Sequence, residues 1–174
     1  MVYAHAQKNL GPAGVTLVLI DDAMLERIPD GLPPMLDYRT HVRHGSNYNT
    51  PPVFAIYVLN LVSRWLRDEI GGVSAIEQIN ARKASMLYGA LEKQADLFKI
   101  HAEPAARSLM NVAFRLRSPV LHDRFLEESR AAGFSGLEGH RSIGGLRASL
   151  YNAVSESSVA QLAALLNDFA DRHG

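Results

Sequence analysis

The sequence of 174 residues contains no cysteine, which excludes disulfides, thiolate metal sites and cysteine nucleophiles. This composition fits a reducing compartment, and we expect a cytoplasmic protein. An excess of charge is lacking as well, because 18 basic residues balance 18 acidic ones. The composition therefore gives no electrostatic reason to expect nucleic acid or an anionic membrane surface as a partner.

Long hydrophobic runs are also absent. The two longest, 15–20 and 53–59, fall far short of the roughly 20 residues that span a bilayer. The first residues lack the basic start and apolar stretch of a secretory signal. The histidines show no metal-ligand spacing. We expect no membrane segment and no metal site.

The pattern of the first third of the chain predicts part of an α/β sheet domain. Val15–Ile20 is a continuous apolar run between turn residues, which predicts a strand buried on both faces. Residues 29–52 hold five prolines and are expected to form a long irregular region. The pair Pro51-Pro52 after Asn49-Thr50 predicts a helix over about 51–68.

The rest of the chain predicts a helix and then a small α+β unit. After Gly71-Gly72, apolar residues at helical spacing predict a helix over 74–93. Beyond it we expect strands over 108–116, 136–140 and 146–152, a helix over about 118–133 and a final helix ending at Gly174. The predicted divisions are 1–73 (large domain), 74–94 (linking helix) and 95–174 (small domain).

Lys8 stands in a small-residue loop, between Gln7 and Asn9 and before a turn with Gly11 and Gly14. A surface lysine is the ordinary interpretation of such a residue. The alternative is a nucleophilic amine, because a lysine that forms an imine needs a close, desolvated pocket that lowers its pKa. Small neighbours would let a ligand approach, and Gln7 would supply hydrogen-bonding groups.

Two further segments have a structural and a functional interpretation. Asn49 and Thr50 could cap the following helix, or its N-terminus could bind a phosphate through unpaired N–H groups. In GHRSIGGLRASLYNA (139–153), His140, Arg141 and Arg147 surround a Gly-Gly bend. The arginines could face water on an edge strand, or a guanidinium could pair bidentately with a substrate carboxylate.

Six motifs, in order along the whole chain, resemble those of the phosphoserine aminotransferases, which are fold-type-I pyridoxal-phosphate transaminases of class V. They are AQKNLGPAG, LDY at 36–38, SNYNTPP, MNVAFRL, FLEES and GHRSIGGLRASLYNA. The resemblance implies an α/β chain that holds the end of the large domain and a small C-terminal α+β domain. It also implies pyridoxal 5'-phosphate as cofactor and a homodimer with shared active sites.

The resemblance implies roles for individual residues. Lys8 would hold the cofactor as an internal aldimine, and Gln7 would contact the cofactor phosphate. Asn49 and Thr50 would reach the phosphate of the cofactor bound by the other subunit. Three residues would bind substrate: Arg147 the α-carboxylate, and His140 and Arg141 the distal anion.

The implied reaction is amino transfer between glutamate and 3-phosphohydroxypyruvate, which gives O-phospho-L-serine for serine biosynthesis. A role in pyridoxine biosynthesis is a second implication of the resemblance. Family members are roughly twice as long as this chain, so we expect a fragment of the enzyme. The alternatives are a noncatalytic truncated domain with weak anion binding and a related transaminase with another substrate.

Overall fold

The chain begins with an antiparallel hairpin, in which β1 (Val2–His5) pairs with β2 (Thr16–Leu19). The computed structural model describes residues 1–174 and divides them into an N-terminal unit, 1–70, and a C-terminal unit, 71–174. Val2 lies opposite Leu19, and His5 lies opposite Thr16. The apolar run thus forms a strand, as its β-branched composition predicts.

The prediction that this strand is buried on both faces is wrong. Leu17 and Leu19 are 47% and 62% exposed, because β2 has a single neighbouring strand and lies in a two-stranded sheet. Only Ala6 and Ala55 are buried apolar residues of the N-terminal unit. A continuous apolar run predicts a strand correctly but does not show how many layers cover it.

Two short helical segments occupy part of the region 29–52 that we expected to be irregular. They are a 3₁₀ turn (Pro34–Leu36) and α2 (Tyr38–Arg43), and the short helix α1 (Asp22–Leu25) lies before this region. Asp37 caps α2 by accepting a 2.9 Å hydrogen bond from the Arg39 amide. The Arg39 side chain also binds this carboxylate and lowers the pKa of Asp37. Asp37 therefore begins a helix, and the prolines around it led us not to predict one.

The helix predicted over 51–68 is confirmed as α3 (Val53–Trp65), followed by a π-helical turn (Leu66–Ile70). Its N-cap is Pro52, which offers no side-chain hydrogen bond to the first turn. The helix predicted after the Gly-Gly pair is confirmed as α4 (Val73–Lys93). The boundaries differ from the predicted ones by a few residues, as expected at helix ends.

The C-terminal unit contains a three-stranded antiparallel sheet in the order β3 (Phe98–Ile100), β4 (Asn111–Leu116), β5 (Leu146–Ser149). Helix α5 (Val120–Ala131) follows β4, and helix α6 (Glu156–His173) ends the chain. The strand predicted over 136–140 is wrong. Its glycines leave only an isolated bridge between Glu138 and Leu146, because glycine weakens strand pairing.

One face of this sheet packs on the helices and forms the core. Four phenylalanines meet there with ring centroids 5.0 to 6.5 Å apart, mostly edge to face: Phe98, Phe114, Phe125 and Phe169. Residues alternate between the two faces of a strand, so the β4 residues beside Phe114 point the other way. The opposite face carries polar side chains, which include Lys99, Arg115 and Arg147.

A lysine lies fully buried in this core. Lys83 is 0% exposed, and its ammonium donates to the carbonyl oxygens of Leu150, Tyr151 and Val154 at 2.9 to 3.0 Å. Burial lowers the pKa of Lys83. All three N–H donors are satisfied, which is the condition under which a charged group is tolerated in a core.

The structure contains no helix that is both long enough and apolar enough to cross a lipid bilayer.

Candidate functional site

Lys8 occupies a strained backbone position in the turn that links β1 and β2. Its φ is +94°, a value that residues with a side chain rarely adopt. The turn is fixed by two backbone hydrogen bonds, from Ala6 N to Val15 O at 2.9 Å and from Lys8 N to Gly11 O at 3.1 Å. Strain of this kind concentrates at functional sites, where surrounding structure holds the residue in place.

The side chains of Lys8 and Gln7 are exposed in this structure. The expected desolvated pocket around Lys8 is therefore not formed by this chain, since the Lys8 side chain is exposed. Ala6, by contrast, is fully buried. The backbone of the loop is anchored while the lysine side chain projects from it.

Asn49 and Thr50 lie in the segment before α3, and both are exposed. The structural interpretation, in which they cap the helix, is wrong, because Pro52 occupies the N-cap position without a capping hydrogen bond. Asn49 Nδ2 instead donates to its neighbour, Thr50 O, at 3.3 Å. Their side chains are thus not committed to the first turn of α3.

A cavity of about 570 Å³ lies in the N-terminal unit beside Asn49. Its polar lining includes Thr16, Tyr38, His41 and Ser46, while Lys8 and Gln7 do not line it. Asn49 thus lines a cavity to which Lys8 does not contribute.

The three predicted substrate residues lie on one hairpin of the C-terminal unit. His140 begins a tight turn, and its carbonyl oxygen accepts hydrogen bonds from Ile143 N and Gly144 N at 2.9 and 2.7 Å. A side chain on Gly139 would collide with the Gly144 carbonyl, so the turn requires glycine there. Arg141 is exposed at the tip of the turn.

Hydrogen bonding orients the His140 ring. Its Nδ1 accepts from the Ser142 amide at 3.3 Å and lies 2.6 Å from Ser142 Oγ. When the ring is neutral, Nε2 therefore carries the hydrogen. His140 then presents a donor, the group that an anionic ligand requires.

Arg147 lies on β5 opposite Ala113 of β4, on the sheet face away from the core. Its amide donates to Leu137 O at 2.8 Å, which fixes the strand. Its side-chain Nε is buried and has no hydrogen-bond partner in the protein. A buried guanidinium N–H without a partner is costly, and an anionic ligand would satisfy it.

The structure thus brings Lys8 and Gln7 together in one turn, and His140, Arg141 and Arg147 together on one hairpin. Sequence reasoning missed the strands β1 and β3, the short helices α1 and α2, and the buried Lys83. A signal for Lys83 did exist, because Ile76, Asn80, Lys83 and Leu87 share one helical stripe and all are buried.

Comparison with known proteins assigns the chain that carries these residues to a family. The sequence matches the family described as Aminotransferase class-V over residues 1–162. The chain belongs to the class-V aminotransferase family, and the resemblance inferred from its motifs is confirmed.

Among its relatives are two bacterial phosphoserine aminotransferases. The protein from Geobacillus kaustophilus (strain HTA426) is 54% identical over 172 residues, which are 99% of this chain and 48% of that protein. The protein from Shouchella clausii (strain KSM-K16) is 52% identical, over 99% of this chain and 47% of that protein. The chain spans about half the length of the curated relatives that it matches.

Solved structures agree with this assignment. Phosphoserine aminotransferase from Bacillus circulans subsp. alkalophilus is 44% identical with a TM-score of 0.93, covering 99% of this chain and 47% of that one. The pyridoxal-phosphate-bound enzyme from Trichomonas vaginalis is 35% identical with a TM-score of 0.87, covering 95% and 47%. The α/β fold expected from the resemblance, that of part of a pyridoxal-phosphate transaminase, is confirmed.

Proposed function

We propose that this chain contributes the lysine-bearing part of a phosphoserine aminotransferase, which transfers an amino group between L-glutamate and 3-phosphohydroxypyruvate to give O-phospho-L-serine. The observation that carries the proposal is the backbone of Lys8, held at φ +94° in an anchored turn, in a chain of the class-V family. A role in serine biosynthesis follows from the product. Use of a related substrate in pyridoxine biosynthesis and the expected cytoplasmic location belong to the same proposal.

The residues of the chain fit pyridoxal 5'-phosphate, the cofactor named for the Trichomonas vaginalis relative. Lys8 supplies an exposed primary amine on a fixed backbone, and Gln7 beside it supplies an amide for the phosphate. When bound, the cofactor supplies an aldehyde that condenses with amines and a ring that accepts electrons from the substrate α-carbon. Lys8 would hold it covalently.

Lys8 has a second task in this mechanism, as a base and an acid. With its amine free, Lys8 Nζ would take the proton from the substrate α-carbon, and the ammonium formed in this way would return a proton to the carbon that receives the amino group. Both tasks need one amine at a fixed place. The anchored turn supplies that placement, because the two backbone hydrogen bonds hold Lys8 independently of any ligand.

Arg147 would bind the substrate α-carboxylate. Its buried Nε lacks a partner, and a planar guanidinium pairs with a carboxylate through two parallel hydrogen bonds. This pairing would orient the α-carbon. His140 and Arg141, on the preceding turn, would bind the distal anion, which is a phosphate in one substrate and a carboxylate in glutamate.

Asn49 and Thr50 would serve the cofactor phosphate of the partner subunit in a homodimer. The proposal is supported by the exposure of both side chains and by the absence of a capping hydrogen bond at the start of α3. The start of α3 adds the N–H groups of residues 54 and 55 and a partial positive charge to this segment, while Val53 N already donates to Pro51 O at 2.8 Å.

The experiment uses a chimera in which the N-terminal part of the Geobacillus kaustophilus relative precedes this chain. We expect the chimera to convert glutamate and 3-phosphohydroxypyruvate into 2-oxoglutarate and phosphoserine, and the same chimera with Lys8→Ala to lose turnover by about three orders of magnitude or more. Spectra with added cofactor show whether both proteins bind it.

Two outcomes would overturn the proposal. A folded chimera that binds cofactor but transfers amino groups only with unphosphorylated substrates would identify a related transaminase. A folded chimera that neither binds cofactor nor turns over substrate would identify a noncatalytic domain.

A further inference from the structure

The outer face of the C-terminal sheet contains a cavity of about 320 Å³ that none of the proposed substrate residues lines. Its charged and titratable lining residues are Lys99, His101 and Arg115, and no Asp or Glu lines it. Its volume lies within the range of small-molecule sites. The cavity is therefore basic and large enough for a small ligand.

Two of its cations face each other across the sheet. Lys99 and Arg115 are direct partners in the register of β3 and β4, and like charges in that position are destabilising unless a counterion lies between them. None of the ion pairs of the chain involves Lys99, His101 or Arg115. The fold thus keeps two uncompensated positive charges together at one cavity.

A glycine segment closes the cavity on its other side. Gly144 and Gly145 have φ values of +70° and +67°, and a Cβ on Gly145 would lie 2.8 Å from the carbonyl oxygen of Phe114. Only glycine allows the segment 143–145 to lie this close to β4. The same segment links the turn of His140 to the strand of Arg147.

We propose that this cavity is a binding site for a phosphate group, with Arg115 and Lys99 as its two cationic ligands and His101 as a further donor. An arginine binds two phosphate oxygens through its fork of N–H groups, and a lysine adds a compact charge. The occupant is inorganic phosphate or a small phosphate monoester. None of the proposed substrate residues, His140, Arg141 and Arg147, lines this site.

The test measures phosphate binding to the 174-residue chain by calorimetry at low ionic strength, with inorganic phosphate and O-phosphoserine as separate probes. We expect the pair Lys99→Gln/Arg115→Gln to weaken binding of at least one probe about tenfold or more, as expected for lost charge-assisted hydrogen bonds. The conservative Arg115→Lys should retain binding more fully than Arg115→Gln. Comparing the two probes identifies which form of phosphate the site prefers.

Two controls separate this site from other cations. Lys93→Gln removes an exposed lysine of the same unit that does not line the cavity, and it should bind phosphate like the unmodified chain. The pair His140→Ala/Arg141→Ala removes the proposed distal-anion residues, and in that background Lys99→Gln/Arg115→Gln should still weaken the remaining phosphate binding. Circular dichroism confirms that each variant is folded.

Three results would overturn the proposal. One is that neither inorganic phosphate nor O-phosphoserine binds at millimolar concentration. Another is an equal loss of phosphate affinity in Lys93→Gln and in Lys99→Gln/Arg115→Gln, which would indicate nonspecific attraction. The last is a loss confined to His140→Ala/Arg141→Ala, which would assign the phosphate to the proposed substrate site.

Discussion

The ammonium of Lys83 donates a 3.0 Å hydrogen bond to the carbonyl oxygen of Leu150, one residue after the end of β5. Two further carbonyls of the same segment accept from this ammonium. Because β5 carries Arg147, the buried lysine of α4 fixes the chain that follows the proposed carboxylate-binding strand. Lys83 is in this respect a positioning residue rather than a catalytic one.

Lys83→Met should therefore destabilise the protein strongly. The methionine keeps much of the volume but leaves three carbonyls without their donor, and each unsatisfied buried polar group costs about 1–3 kcal/mol. We expect a loss of about 2 kcal/mol or more in urea unfolding. Arg82→Gln is the control, because the exposed pair of Arg82 with Glu156 is worth less than about 1 kcal/mol. Similar losses in both variants would contradict the role of Lys83.

Glu128 should make folding sensitive to acid. Burial acts to raise the pKa of Glu128, but hydrogen bonds from Arg124 and His173 and the ion pair with Arg172 together lower it below its ordinary value. A carboxylate with a depressed folded pKa stabilises the protein above its unfolded pKa and loses that contribution as the pH falls through the folded pKa. The stabilisation from Glu128 is therefore present at neutral pH and disappears in acid.

Urea unfolding of Glu128→Gln between about pH 7 and about pH 2 measures this contribution. The variant should be less stable than the unmodified chain at neutral pH, and the difference should shrink below pH 4.5. Glu127→Gln is the matched control, because Glu127 is the exposed neighbour on α5. A difference that stays constant with pH would show that the ion pairs of Glu128 do not carry the effect.

Arg147 and Arg141 should differ in which substrates they affect. In the chimera, Arg147→Lys should lower kcat/KM for every substrate by roughly 30-fold or more, because lysine cannot form the bidentate pair with a carboxylate. Arg141→Ala should lower it mainly for phosphorylated substrates. Steady-state kinetics with phosphoserine and with alanine check this. Equal losses for both amino acids in Arg141→Ala would contradict a distal-anion role.

The shared dimer site predicts that activity returns when two inactive chimeras are mixed. One carries Lys8→Ala, and the other carries Asn49→Ala/Thr50→Ala. If the residues act across the dimer, a mixed dimer has one site with both defects and one site with none. If they act within one chain, both sites are defective. Mixed dimers, verified by native mass measurement, that are no more active than their parents would exclude the shared site and leave the role of Lys8 intact.

Periodicity was sufficient to predict the helices of the C-terminal unit, because α4 and α6 bury continuous stripes against one core. Periodicity failed where tertiary contacts determine the burial or the conformation of a segment. The apolar composition of β2 is the same whether one layer or two cover it, and the glycines of 136–140 allow a turn where alternation predicted a strand. The short helix α2 depends on the cap at Asp37, a local signal that the surrounding prolines outweighed.

The candidate site was predictable in its residue types but not in its geometry. The sequence placed Lys8 in a glycine-bounded turn, and the strain at its φ is visible only in three dimensions. The partnerless Nε of Arg147 and the opposed cations Lys99 and Arg115 arise from strand register. Register depends on which strands pair, and the hydrophobic pattern of one strand does not specify its partner.

The most direct test of the account is to locate the cofactor on the protein. The chimera is mixed with pyridoxal phosphate, reduced with borohydride and digested, and the labelled peptide is sequenced by mass spectrometry. The account predicts a single modified residue, Lys8, with the visible absorbance lost on reduction, and no label in Lys8→Ala. Stoichiometric label on another lysine, with Lys8 unmodified, would contradict it.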